Sequence, residues 1–166
     1  MSVESIVEVP PPPPAARAKR PLGLTLIAIF WLLAGLWNIY AGLSTISLDL
    51  EVVPYLDNPA LDPWFQLGIP AEMAIAALAI VLGAVQLIAI YGLWTGKPWS
   101  YKPALTIPIL IAASWWATLA LYMSAPPSLG IFAPNDLVYA ISSLLWVGVF
   151  WWYLRRRYVK DYLRVK

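Results

Sequence analysis

The chain has 166 residues, 61% of them hydrophobic and only 12% charged. Soluble domains use apolar residues for about half of their length and charged ones for about a quarter, so this composition excludes an ordinary soluble domain and describes an integral membrane protein. The net charge of +2 excludes nothing by its sum, but cysteine and histidine are both absent, which removes disulfides, thiolate metal sites, iron–sulfur clusters, the usual haem ligand and the common general base at neutral pH.

Residues 1–20 carry no apolar periodicity and include an unbroken proline run at 10–14. Such a run favours an extended polyproline II conformation, and the segment is expected to be a disordered cytoplasmic tail that acts as a spacer. Arg17, Lys19 and Arg20 close it as a first basic cluster. A first span is expected at about 22–43, the right length for a hydrocarbon core at 1.5 Å per residue. The same order of charge and apolar run occurs in secretory signals, but this run exceeds their core of roughly 7 to 15 residues and no clean Ala-x-Ala site follows, which favours a retained anchor.

Residues 44–70 read as a long connection. They hold Asp49, Glu51, Asp57 and Asp62 without a basic residue, and Pro54, Pro59, Pro63 and Pro70 are expected to prevent a long helix there. A short aromatic piece at 63–67 is expected to lie along the interface. The second span is expected at about 71–94, with Glu72 placed favourably against the helix dipole in its first turn. Its small residues Ala76, Ala77, Ala79, Gly83 and Ala84 recur at helical spacing and suit close approach of another helix.

The turn at 91–103 is short, aromatic and positively charged through Lys97 and Lys102. Gly96 is the expected helix C-cap, with Pro98 barring continuation and Pro103 opening the next helix. The third span, about 103–123, has Pro108 in its second turn and a polar ridge of Ser114 and Thr118, with Ala113, Ala117 and Ala120 extending a small face. After a proline-rich turn, Asn135 is the expected N-cap of a fourth span at about 136–154. Aromatic residues at 150–153 then form a girdle ahead of Arg155, Arg156 and Arg157. The basic tail 156–166 is expected to lie as an amphipathic piece on the inner surface.

Charge sorting sets the expected topology. Every Lys and Arg lies in the first tail, the turn after the second span or the C-terminal tail. The other two connections, counted with Glu72 and Asp136 at their edges, are purely acidic. Basic residues stay on the cytoplasmic side, so the reading is an all-α bundle of four transmembrane helices within residues 21–155, with both termini cytoplasmic.

The sequence holds few candidates for chemistry. No catalytic residue, metal site or cofactor site is identifiable, and no ionisable side chain falls deep in an expected span. Asn38, Gln86, Ser114 and Thr118, with Ser142 and Ser143, are the polar residues expected to hydrogen-bond between helices. Asn38 and Gln86 should not touch, because Asn38 sits about 8 Å to the outer side of its span's middle and Gln86 about 5 Å to the inner side of its own. The expected partners are the bilayer, through inner-face Lys97, Lys102, Arg155, Arg156 and Arg157, and other membrane subunits or a second copy; nucleic acid is not expected.

Two resemblances add to this reading. Tyr91-Gly92-Leu93-Trp94 with Gly96-Lys97 and Trp99, and Tyr153-Leu154 followed by Val159-Lys160 and Tyr162, resemble a broad group of small four-helix membrane proteins of archaea and some bacteria. Leu33-Ala34-Gly35-Leu36 and Ile69-Pro70-Ala71 are similar to the DoxX family of four-helix membrane proteins, some linked to quinone-dependent sulfur oxidation, although no charged residue follows Leu36 closely here. The expected function is that of a non-enzymatic accessory or assembly subunit, or a homo-oligomer. The second resemblance implies instead a membrane subunit of a quinone-linked oxidoreductase.

Overall fold

The computed structural model describes residues 19–165; the proline run at 10–14, Arg17 and Lys166 lie outside the described residues. Those residues form α1 (Leu22–Val52), α2 (Pro63–Thr95), α3 (Tyr101–Met123), α4 (Pro134–Leu154) and α5 (Arg157–Leu163), with a short 3-10 turn in each of the first three connections. The first four are each long and apolar enough to cross a membrane, and no strand occurs among the described residues. The chain is thus an all-helical protein suited to multi-pass insertion.

The expected connection at 44–70 is mostly helix. α1 passes the expected end of its span by about two and a half turns and stops at Val52, two residues before Pro54. Pro63 starts α2 instead of breaking it. It occupies the first helical position, where its missing N–H costs nothing, and the Asp62 carboxylate accepts the Trp64 N–H at 2.9 Å. The piece at 63–67 is accordingly the first turns of α2 and not a separate interfacial segment. Pro70 lies inside α2 without ending it. The carbonyl it deprives of a partner belongs to Gln66, which is exposed, so solvent or headgroups can satisfy it.

At 1.5 Å per residue α1 and α2 are about 46 and 50 Å long, against a hydrocarbon core of roughly 30 Å. The 23 residues of α3 and 21 of α4 match that core closely. The surplus length of the first hairpin projects at one end of the bundle, which carries the acidic connections. The opposite end carries Lys97, Lys102 and the arginines, together with both described chain ends. Gly96 closes α2 there as expected, at φ 70°, with the Lys97 N–H donating to the Gly92 carbonyl at 2.8 Å. This is the Schellman arrangement that a left-handed glycine permits.

α1 and α2 make the most intimate pair. A Cβ added to Gly83 would lie 2.8 Å from the Gly35 carbonyl, and one added to Gly42 would lie 2.6 Å from the Ala76 carbonyl. The expected small face of α2 therefore splits. Ala76 and Gly83 are consumed inside the chain, while Ala77 and Ala84 remain exposed. On α3, Ala113, Ala117 and Ala120 are likewise exposed.

α3 runs unbroken through buried Pro108 and lies between α2 and α4. The indole N–H of Trp151 on α4 donates to the Leu105 carbonyl at 2.8 Å, fixing α4 against it. The N-cap of α4 is Ala133 and not Asn135: Asp136, three residues on, accepts the Ala133 N–H at 3.0 Å. The aromatic run at 150–153 is not a uniform girdle, because Phe150 is buried and only Trp152 is more than half exposed, at 62%.

The buried core is gathered at the basic end. Leu24 and Trp31 of α1, Ala89 and Leu93 of α2, Ala104 and Ile107 of α3, and Phe150 and Leu154 of α4 pack with Val159 and Leu163 of α5. The basic tail is thus not a strip on the surface. It turns at Arg155–Arg156 and tucks α5 under the bundle, with both apolar residues fully buried. Tyr162 donates to the Trp94 carbonyl at 2.8 Å, tying α5 to the end of α2.

Candidate functional site: a chamber between the helices

Packing that is tight at the basic end leaves space toward the acidic end. α1 and α4 meet near their basic ends, where Tyr153 fills the space over Gly23 and Trp146 stacks on Phe30 at 4.4 Å. Beyond that point a chamber of about 390 Å³ lies among all four helices, within the size range of small-ligand sites. Its walls are aromatic: Trp31 and Trp37 from α1, Trp115 from α3, and Tyr139, Trp146 and Phe150 from α4. Trp37 and Tyr139 line it while remaining 59% and 53% exposed. The chamber therefore opens sideways between α1 and α4.

Its polar floor is the amide pair that sequence reasoning kept apart. Gln86 is buried at 1% exposure, donates from Nε2 to the Trp31 carbonyl at 3.0 Å, and accepts from Asn38 Nδ2 at 3.5 Å. Helical side chains tilt toward their own N-terminus. In antiparallel α1 and α2, Asn38 leans toward the basic end and Gln86 toward the acidic end, so residues at different depths reach each other. The offset of α2 along α1, which sets Gly83 against Gly35 and Asn38, removes part of the difference in depth as well.

A second space of about 210 Å³ shares Trp37, Asn38 and Trp115 with the first and continues toward the acidic end. Ser114 and Thr118 stand on its wall with Glu72, Tyr122 and Asp136. The ridge is real, but both hydroxyls are already donated to their own helix, Ser114 to Ile111 O at 2.8 Å and Thr118 to Ser114 O at 3.1 Å. Ser142 and Ser143, in the larger chamber, do the same to Tyr139 O and Ala140 O. These serines and threonine can accept from a ligand but have little left to donate.

Sequence reasoning missed the carboxylates of this region. Glu72 is not in the first turn of its helix but nine residues into α2, where it accepts the Tyr122 hydroxyl at 2.5 Å. Asp49, expected in a loop, lies within α1 at 7% exposure, and its Oδ2 has no hydrogen-bond partner. Helix-interior carboxylates therefore exist, near the acidic ends of α1 and α2. Among the described residues no three acidic, histidine or cysteine side chains converge to hold a metal.

The basic residues lie at the other end, remote from both spaces. Lys97, Lys102 and Arg157 are exposed. Three guanidinium groups lie on indole faces, Arg20 over Trp94 at 3.8 Å, Arg155 over Trp151 at 4.6 Å and Arg156 over Trp152 at 3.9 Å. Such stacking sets each charge against an electron-rich ring face. The site thus combines an aromatic, laterally open chamber with an acidic extension and a basic far end, and offers binding groups without a nucleophile–base pair. Comparison with protein-family models, with curated proteins and with solved structures found no match for the chain.

Proposed function

We propose that the chain is a non-enzymatic multi-pass protein of the cell membrane, with both termini cytoplasmic, that serves as an accessory subunit by holding a lipophilic molecule between its helices. The single observation behind this reading is the aromatic chamber that opens toward the lipid between Trp37 and Tyr139. A ligand dissolved in the bilayer reaches such a site without crossing water. The side chains around it bind and orient but neither attack nor shuttle protons in any familiar constellation. The exposed row Ala113, Ala117 and Ala120 on α3 suits contact with another membrane subunit or a second copy.

A membrane subunit of a quinone-linked oxidoreductase is the second reading. The amide pair Asn38–Gln86 favours it, since amide donors beside aromatic walls suit a flat ring bearing carbonyls. In that case the partner subunits carry the redox centres.

Extraction of the tagged protein into lipid nanodiscs without detergent, followed by mass spectrometry of bound small molecules and co-purifying proteins, tests both. A lipophile retained by the native chain and lost from Trp37→Ala/Trp115→Ala supports the first reading. Stoichiometric recovery of a quinone and a redox partner supports the second. If no small molecule is enriched over empty nanodiscs, the chamber is packing space and the proposal fails.

A further inference from the structure

We propose that the ligand of this chamber is a monovalent organic cation, its apolar body between the tryptophans and its charged head beside Glu72 and Asp136. This inference rests on the reading of the chamber as a lipophile site and assigns the chemical class of its occupant.

The two spaces share Trp37, Asn38 and Trp115, so a single molecule can lie across both. Polarity changes along that path. The larger chamber has no Asp, Glu, Lys or Arg on its wall, whereas the smaller one has Glu72 and Asp136. Asp49 stands outside the wall of either space as a further uncompensated negative charge on α1. It lies four residues after Thr45, which lines the smaller space, and its Oδ2 is buried without a hydrogen-bond partner.

Nothing in the described chain neutralises these groups. No lysine or arginine occurs between Arg20 and Lys97 or between Lys102 and Arg155, and those that flank the gaps stand at the opposite end of the bundle. Withdrawing carboxylates from water without a counter-charge is unfavourable, and an entering cation relieves it. The absence of three converging metal-ligand side chains argues against a divalent ion, which is held by several oxygens at once. A large organic cation sheds water readily and gains from facing Trp37 and Trp115, which line both spaces, since indole rings attract positive charge. A neutral carbonyl compound would use the amide pair but leave the carboxylates idle.

The test uses the full chain in nanodiscs of zwitterionic lipid and equilibrium dialysis with two probes of one shape and opposite charge, tetraphenylphosphonium and tetraphenylborate. A third probe, neutral triphenylmethane, reports the apolar chamber alone. We expect saturable binding of the phosphonium above empty nanodiscs, weakened about tenfold or more in the triple variant Asp49→Asn/Glu72→Gln/Asp136→Asn, with the borate not saturable. Asp57→Asn, an acid outside both spaces, should leave the phosphonium affinity unchanged, and an unaltered melting temperature of the triple variant shows that it folds. If the variant unfolds, competition between phosphonium and triphenylmethane on the native chain decides instead. Saturable triphenylmethane binding, lost in Trp37→Ala/Trp115→Ala, with no preference for the phosphonium overturns the charge assignment while the lipophile site stands. Binding of none of the three overturns both.

Discussion

Gly83 and Gly35 show how much a single missing side chain decides. Sequence spacing marks Gly83 as part of a small pair with Ala79, but the partner surface, Gly35 and Gly42 on α1, is not visible as a pair because their spacing of seven residues is not the usual four. Both helices depend on the approach, since a Cβ at Gly83 would meet a backbone carbonyl at 2.8 Å, and backbone cannot swing aside. Gly83→Leu is expected to destabilise the bundle by about 1–3 kcal/mol, read as a lower melting temperature in detergent, whereas Gly148→Ala, with nothing within 4 Å of its added Cβ, should be neutral or slightly stabilising. Gln86 is the second decisive residue. Its replacement by Leu removes the bonds to Trp31 O and Asn38 and should cost about 0.6 kcal/mol, with roughly 1.7 as the upper end for a membrane hydrogen bond. A loss above 3 kcal/mol would show that the amide organises the chamber wall rather than merely bonding across it.

Among the elements, α2 and α5 depart furthest from a linear reading. Proline is a helix breaker in most contexts, yet Pro63 begins α2 and Pro70 is carried inside it. Which role applies depends on whether the deprived carbonyl finds another donor, and that is a matter of surroundings. α5 has seven residues, too short to be stable alone, and exists because Val159 and Leu163 complete the core. Leu163→Asp is therefore expected to detach it at a cost of about 2 kcal/mol or more, with faster proteolysis after Arg157 as a second readout. Tyr162→Phe, which deletes only the bond to Trp94 O, should cost about 1 kcal/mol. Equal effects from the two substitutions would mean that α5 is held by its hydrogen bond and not by burial.

At the scale of the molecule, charge and packing share one axis. The basic end is closed by α5 and a continuous core, and the acidic end is hollow. The expected membrane orientation places the basic end in the cytoplasm, and the absence of native cysteine makes it simple to test. Lys97→Cys and Arg157→Cys should be shielded from an impermeant maleimide in intact cells, while Asp57→Cys and Ser128→Cys should label. Labelling of the first pair would reverse the orientation and place the chamber's acidic extension on the cytoplasmic side.

The amino-acid sequence by itself determined the class and the polarity of the protein. Four apolar runs of bilayer length, separated by alternately acidic and basic connections, permit few folds, because backbone groups in lipid must be satisfied within each helix. Gly96 as a C-cap was legible too, since left-handed backbone strongly favours glycine. The chamber was not legible. Trp31, Trp37, Trp115 and Tyr139 stand far apart in the chain among many other aromatic residues, and only the way α1 and α4 diverge beyond Phe30 and Trp146 brings them around one space. Helix ends, the Asn38–Gln86 contact and the setting of Asp49 and Glu72 were likewise decided by tertiary structure, because each depends on how one helix slides along another. Hydropathy along a chain carries no record of that offset.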